Sequence, residues 1–287
     1  MAQERELKRR IRSVKNAKQI TKALEVVAAS RMRKVVGLVA GARGYGELAA
    51  SIMQRIAANP EAANHPFFKP AADKPALYII INSDRGQAGA FNSNIFNLAI
   101  DLFKAERTHP QVVVFGRKGT RFFANLDGID LRGTYENIAD VPSPEIFAPV
   151  MEMLQQQLIQ GEIGKVVILY TQFISSLSQK TTAFQLSPID LSTVTTPEAQ
   201  SKVYEFEPEV SDVLDEAIRV YSEAKLMQAK IESSASEQAM RMVAMGNANR
   251  NASDLIDSLT LELNATRQAS ITQEIAEITG GAAAIAA

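Results

Sequence analysis

The chain has 287 residues, 46% hydrophobic and 22% charged, which is enough ordinary composition for a sizeable core and excludes a disordered or fibrous chain. A net charge of −1 argues against a dedicated nucleic-acid binder, which carries a strong basic excess. Cysteine is absent, so disulfide scaffolds, thiolate-ligated zinc, iron–sulfur clusters and thiol nucleophiles are excluded. The only histidines, His65 and His109, each precede a proline and read as loop residues. The first ten residues, MAQERELKRR, are charged from the start and show no apolar signal region. No uncharged run approaches the roughly 20 apolar residues that span a bilayer. The expectation is a cytoplasmic or peripheral protein.

Taken in chain order, residues 1–58 lack proline and repeat apolar residues at three- and four-residue steps: Leu7, Ile11, Val14, Ala17, Leu24, Ala28, Met32, Val35, Val39, Ala49, Met53 and Ile56. That period predicts one helix of roughly 85 Å. Gly37, Gly41, Gly44 and Gly46 weaken it in the middle and mark a bend or a close helix–helix approach. Residues 59–75 form a proline-rich linker. Over 76–200, ALYIIINS (76–83), QVVVFG (111–116) and KVVILYTQF (165–173) are apolar, β-branched runs of the kind found in buried parallel strands. Helical patterns at 90–106, 118–125 and 144–160 alternate with them, which predicts a layered, Rossmann-like α/β domain. LRGTY (131–135) and KTTAFQLSP (180–188) read as further strands, the second as an antiparallel edge. Residues 201–287 form a foot and a second helix. Proline is absent after Pro208, and the periodic stretch measures roughly 115 Å as one helix.

A half-apolar helix of this length has to bury its stripe, most simply in a coiled coil. Because the chain leaves on one helix and returns on the other, an antiparallel pair is expected. Residues 1–34 carry 11 Lys/Arg against 3 Asp/Glu, and residues 205–279 carry 6 against 14. These opposite potentials favour pairing in this sense and disfavour self-pairing. If residue 58 folds back near 208, residue 1 meets the second helix around 265. About 20 residues, or roughly 30 Å of helix, then project past it. They end GGAAAIAA, with no charge after Glu277. A bare apolar tip implies a sleeve supplied by other subunits.

The candidate chemical motifs each have a plainer reading. NSDRGQAGAFN (82–92) follows a strand and opens a helix, as phosphate loops do. It matches neither G-x-G-x-x-G nor G-x-x-x-x-G-K-[ST], so it reads as a strand–helix turn, with Asp84 and Arg85 exposed and Arg85 free to meet an acidic partner. FGRKGTRFF (115–123) presents Arg117, Lys118 and Arg121 and reads as a solvated helix start rather than an anion site. Asp212, Asp215, Glu216 and Glu223 have helical spacing that could pair two carboxylates, but they read as a solvated face. Lys8, Arg9, Arg10, Arg12, Lys15, Lys18 and Lys22 could meet nucleic acid or an acidic membrane. Leu7, Ile11 and Val14 interleave with them, so pairing inside the protein accounts for them better.

Three long motifs carry a family resemblance. KRRIRSVKNAKQITKALEVVAASRMRK (8–34) resembles the N-terminal signature of the γ subunit of F-type ATP synthases. The segment 235–285, with its RQASITQEI core, resembles the C-terminal signature, and NSDRGQAGAFN resembles the family's Ser-Asp-x-Gly loop. The resemblance covers essentially the whole chain. It implies a non-catalytic rotary shaft without cofactor or metal, one copy per complex, inside a hexamer of α and β subunits. Its foot would stand on the membrane c ring beside ε, at the cytoplasmic face of a bacterial membrane. It would transmit rotation so that proton or sodium flow is coupled to ATP synthesis. Matched positions imply partner contacts at Arg267, Gln268, Arg241, Arg85 and Ala88 toward β, and at Tyr204 and Glu207 toward ε and the c ring. Ala88 stands where the family can carry Cys, and the inserted redox Cys pair of photosynthetic members is missing. Two other readings are a nucleotide-binding α/β enzyme with helical arms, marked by ATP turnover of the chain alone, and a basic coiled-coil nucleic-acid adaptor, marked by salt-dependent DNA binding.

Overall fold

The structure is a computed structural model and describes residues 2–57, 65–69, 71, 73–189 and 210–286. Its elements are α1 (Ala2–Ala57), β1 (Ala76–Ile81), α2 (Phe91–Ala105), β2 (Gln111–Phe115), α3 (Arg117–Phe123), β3 (Asp130–Tyr135), α4 (Ala148–Ile159), β4 (Lys165–Phe173), β5 (Gln179–Ser187) and α5 (Val210–Ala286). The chain divides into two compact units, one of residues 29–241 and one of 1–28 with 242–287, so each unit takes a part of both long helices.

In the larger unit a five-stranded sheet runs in the order β3-β2-β1-β4-β5. The first four strands are parallel, and β5 is the antiparallel edge. Every residue of β1 and β2 is buried, because helices cover both faces. Tyr78, Ile80, Val112 and Val114 point to one side, where Phe91, Ile95 and Ala99 of α2 and Phe123 of α3 close the layer. Leu77, Ile79, Ile81, Val113 and Phe115 point to the other. There they meet Val150 and Leu154 of α4, Met53 and Ile56 of α1, and Leu214, Ile218 and Tyr221 of α5. The period of two along each strand thus divides the core into two layers.

Sequence expectation and structure differ at the proline-rich stretch and agree in part at the α1 glycines. The proline-rich stretch is not only a linker: Pro66–Phe68 forms a short 3-10 turn whose Phe67 is fully buried, edge-on to Tyr221. Two adjacent phenylalanines supply enough apolar area to anchor a segment that prolines otherwise keep irregular. The α1 glycines lie in one continuous helix, and of the bend or close approach expected of them the structure shows the approach at one position. Only Gly46 is a close approach, since a Cβ there would lie 2.4 Å from Gln228 Oε1; Gly37, Gly41 and Gly44 have nothing within 4 Å.

Within this unit α1 packs through Met32, Val35, Val39 and Ala42 against Met227, Ile231, Ala235 and Ala239 of α5. Gly46 faces Gln228 and Arg43 pairs with Glu232, so numbers rise on one helix as they fall on the other and the pair is antiparallel. The smaller unit has the same sense. Among its buried and half-buried positions are Leu7, Ile11, Val14, Lys18, Thr21, Glu25 and Ala28 of α1, with Leu24 beside them, and Met242, Met245, Asn249, Ala252, Ile256, Leu259, Leu263, Thr266 and Ser270 of α5. Both sets step by threes and fours without a break, which is the heptad seam of a coiled coil. Asn249 Nδ2 donates to Lys18 O at 2.9 Å, and Gly246 faces Glu25. The apolar pattern put Ala17 in this seam, but Ala17 is exposed and Lys18 takes the place. A heptad held by its neighbours tolerates a polar residue whose apolar stem packs and whose charge reaches water.

Charge complementarity produces few direct contacts. Among the described residues the ion pairs of the smaller unit lie within α1, such as Lys8–Glu4 and Lys22–Glu25. Between the helices of the larger unit a single pair forms among the described residues, Arg43–Glu232.

Candidate functional site

The C-terminal ends of β1 and β4 are where a doubly wound sheet opens a crevice, because the strand order reverses there, and ligands of such folds occupy it. Here β1 stops early. Ile80 pairs with Leu169, and beyond that β4 pairs only with β5 through Thr171↔Thr181 and Phe173↔Gln179. The opposite edge of β4 is therefore left with unpaired backbone groups.

The segment of α5 from 229 to 239 fills this place. All eleven residues are buried, although Lys230, Glu232, Ser233, Ser234, Ser236, Glu237 and Gln238 are polar. Their side chains complete the strand edge. Ser233 Oγ accepts from Thr171 N at 3.0 Å, Ser236 Oγ donates to Thr171 O at 3.1 Å, and Glu232 Oε2 accepts from Phe173 N at 3.1 Å. Arg43 of α1 donates to both Glu232 oxygens at 3.0 and 2.7 Å and to Phe173 O at 2.6 Å. Gln228 Nε2 adds a fourth bond to Glu232 at 3.0 Å. One carboxylate with no exposed surface thus ties both long helices to the sheet. Burial, reinforced by Glu232, pushes the nearby Tyr170 hydroxyl up to about 12.

The loop 82–92 is locked from within. Asn92 caps Ser83 N at 3.1 Å, Ser83 Oγ donates to Arg85 O at 2.7 Å, and Asp84 Oδ1 accepts from Arg117 N and Asn137 N, each at 3.0 Å. The polar residues that resemble a phosphate loop are therefore engaged in holding three strand ends together. Gly119 is required beside them, since a Cβ there would lie 2.0 Å from Asn82 Nδ2.

Of the sequence-derived contact residues, the structure brings Arg85, Ala88 and Arg241 together. Arg241 Nη2 donates to the carbonyls of Gly86 and Arg85 at 3.3 and 3.4 Å and pairs with Glu237 at 2.7 Å. Burial pushes the Glu237 carboxyl above its usual range, and the Arg241 guanidinium opposes that shift. Arg85 is exposed. Ala88 is 2% exposed and packs into the α2 layer, so its methyl is spent inside the domain and only the surrounding loop offers surface. Arg267 and Gln268 lie in the other unit, exposed, just before the seam ends. Tyr204 and Glu207 lie outside the described residues. The carboxylates of the second helix are structural: Asp215 sits 3.4 Å from His65, and Glu216 and Glu223 flank Arg219.

In the smaller unit, residues 271–280 are exposed all round, with Ile271, Ile275 and Ile278 at 44%, 56% and 71%. Sequence reading missed Arg43, Glu232, Ser233 and Ser236. The available signal was KIESSASEQ (230–238), a polar run with small residues inside a long helix, which permits a close approach to backbone.

A sheet whose ligand crevice is filled by its own helix, on a chain whose apolar helix end has no cover among the described residues, defines a subunit built to engage other chains. The family model for ATP synthase matches residues 3–285. The chain is 38% identical to an ATP synthase gamma chain of Heliobacterium modesticaldum over 98% of both chains. It is 35% identical to that of Legionella pneumophila over 99% of this chain and all of the relative. Among solved structures it resembles a chain in the Euglena gracilis mitochondrial ATP synthase OSCP/F1/c-ring assembly, with a TM-score of 0.70, 20% identity, and 99% and 95% of the two chains covered. It also resembles one in the Tetrahymena thermophila central stalk and c ring, with a TM-score of 0.64, 25% identity, and 80% and 99% covered. The chain belongs to the family of ATP synthase gamma chains, the rotor subunits of the central stalk.

Proposed function

We propose that this chain is the shaft of an F-type ATP synthase. It turns with a c ring, stands inside a hexamer of α and β subunits, and contributes no catalytic residue of its own. The observation that carries this reading is the exposed α5 end. Ile271, Ile275 and Ile278 keep a helical face without a partner among the described residues, and such a face is stable in water only when another surface covers it. A ring of subunits around the helix supplies that cover and allows rotation. The polar side chains of Arg267 and Gln268, at the base of the exposed end, give the angle-dependent contacts that differ between β subunits. Only such differences shift an equilibrium among binding states.

The filled crevice supports the non-catalytic part of the reading, because the position where a nucleotide would enter the sheet is taken by Glu232, Ser233 and Ser236. Arg85, exposed on its locked loop, offers a charge to an acidic segment of β. Tyr204 and Glu207 would meet ε and the c ring. None of the described helices is long and apolar enough to cross a membrane, consistent with attachment at the cytoplasmic face of a bacterial membrane through the c ring. The test is co-expression with α and β subunits of a bacterial relative, followed by purification and imaging. One copy of the chain should lie on the axis of an αβ hexamer. Recovery of the chain free of α and β, with ATP turnover of its own, would overturn the proposal.

A further inference from the structure

Within the larger unit α1 carries two apolar lines. The inner one, from Val35 and Val39 through Gly46 to Met53, is buried against α5 and the sheet. The outer one has no cover among the described residues. Leu38, Gly41, Tyr45, Leu48 and Ile52 step by three, four, three and four, and every one is exposed, the four large side chains at 46%, 55%, 59% and 46%. That is roughly 21 Å of unbroken heptad register. Apolar residues exposed singly are ordinary, whereas several in one register form a contiguous surface of the kind that engages another chain.

The α1 glycines fall on the same side. Gly37, Gly41 and Gly44 each weaken the helix, and nothing lies within 4 Å of the position a Cβ would take at any of them. Of the four, Gly46 makes its close approach inside the chain, against Gln228. The other three leave the backbone open on the outside, where a second helix can come near.

Charge identifies the occupant. The outer line ends on two exposed cations, Lys34 one step of four before Leu38 and Arg55 one step of three after Ile52, and no acidic residue lies on it. A second copy of this chain packed along the line would set cation against cation in either sense. Antiparallel copies would oppose Lys34 to Arg55, and parallel copies would oppose each to itself. Like charges at matched positions disfavour both pairings. A helix with an apolar heptad line and acidic residues at its two ends meets neither conflict and lays its stripe along this one.

We infer that the outer face of α1 between Lys34 and Arg55 is a docking surface for one amphipathic helix of a different protein chain, about four turns long, apolar along its heptad line and acidic at both ends. The inference rests on the chain's place in a multisubunit assembly, and it adds a surface distinct from Arg85, Arg241 and the α5 end.

The test is photocrosslinking in the complete ATP synthase, purified from a bacterial host that expresses all its subunits, with Tyr45→p-benzoylphenylalanine as the probe and Ile275→p-benzoylphenylalanine as the reference. Mass spectrometry of the crosslinked peptides should show position 45 joined to one helical segment of another subunit with the stated pattern. Leu48→Glu should cut that crosslink at least about tenfold, and Lys34→Glu with Arg55→Glu several-fold. All three positions are exposed, so the melting of the free chain should not change. A crosslink from position 45 to a second copy of this chain, to lipid or to a non-helical segment would overturn the docking surface, as would none at all or one that Leu48→Glu leaves unchanged. If position 275 still crosslinks to α or β in that case, the docking surface alone fails; if neither position crosslinks to another subunit, the shaft reading fails with it.

Discussion

Two stretches of α5 invert the usual relation between polarity and burial. Residues 229–239 include Lys230, Glu232, three serines, Glu237 and Gln238, and every one is buried. Residues 271–280 carry three isoleucines, and every residue is exposed. The first stretch is stable inside because the open edge of β4 and the Arg43 guanidinium take up Glu232, Ser233 and Ser236, and Arg241 holds Glu237. The second has no such account among the described residues, and its stability in water is a statement about other chains. Burial is decided by what surrounds a helix, so a polar run can be core and an apolar run can be interface.

The largest effect that separates the two stretches should come from Glu232→Ala. Removing the carboxylate leaves the buried Phe173 amide without its acceptor and the Arg43 guanidinium, about a third exposed, without its partner, and the hydrogen bonds lost to this charged group, each worth about 1.5–3 kcal/mol, should together cost about 3 kcal/mol. Urea unfolding of the full chain should show the loss, with far-UV circular dichroism reporting whether the helices survive. A loss under about 1 kcal/mol would mean that the junction is not a support. Ser233→Ala is the milder version. It orphans the Thr171 amide and should cost about 1–3 kcal/mol in the same assay.

Glu237 sharpens the comparison through pH. Its folded pKa is raised above the ordinary value of 4.5, first because burial disfavours the charge. The folded state therefore holds this proton more tightly than the unfolded state does. The associated stability is fully present below 4.5 and is lost as pH rises through the folded value. Glu237→Gln removes that component, so the variant's unfolding free energy should fall less than the wild type's as pH rises from 4.5 toward neutrality. Parallel curves for the two proteins would contradict the assignment.

The exposed stretch should behave in the opposite way. Deleting residues 268–287 should leave the melting of the isolated chain within about 0.5 kcal/mol while lowering the ATP-driven turnover of an assembled complex. Loss of soluble protein in the truncation would count against it. Arg267→Ala with Gln268→Ala should give the smallest change in the chain and a measurable one in the complex, and unchanged turnover there would refute their contact role.

The pattern of hydrophobic residues made most of the architecture legible. The buried runs ALYIII, QVVVF and KVVILYTQF are strands β1, β2 and β4 at nearly the expected bounds, because a strand covered on both faces reads as a continuous apolar run. The antiparallel helix pair was legible from helical period and chain return. Ala17 was misplaced because the seam at that point is filled by Lys18, Thr21 and Glu25, which an apolar count passes over. The junction was illegible for a different reason. Glu232, Ser233 and Ser236 are core residues only because β1 ends before β4 does and leaves backbone groups open, and strand length in a register is not written in α5. Arg85 and Arg241 came from motif resemblance, while their meeting through the loop carbonyls required coordinates.

The absence of cysteine makes the most direct measurement simple. Single variants Ser234→Cys and Ile275→Cys can each be labelled with a maleimide, once in the free chain and once after assembly with α and β subunits. The account predicts that position 234 reacts slowly in both states and that position 275 reacts fast when free and slowly when assembled. Equal reactivity at 275 in the two states would contradict the claim that this end of the helix is built to be covered by other subunits.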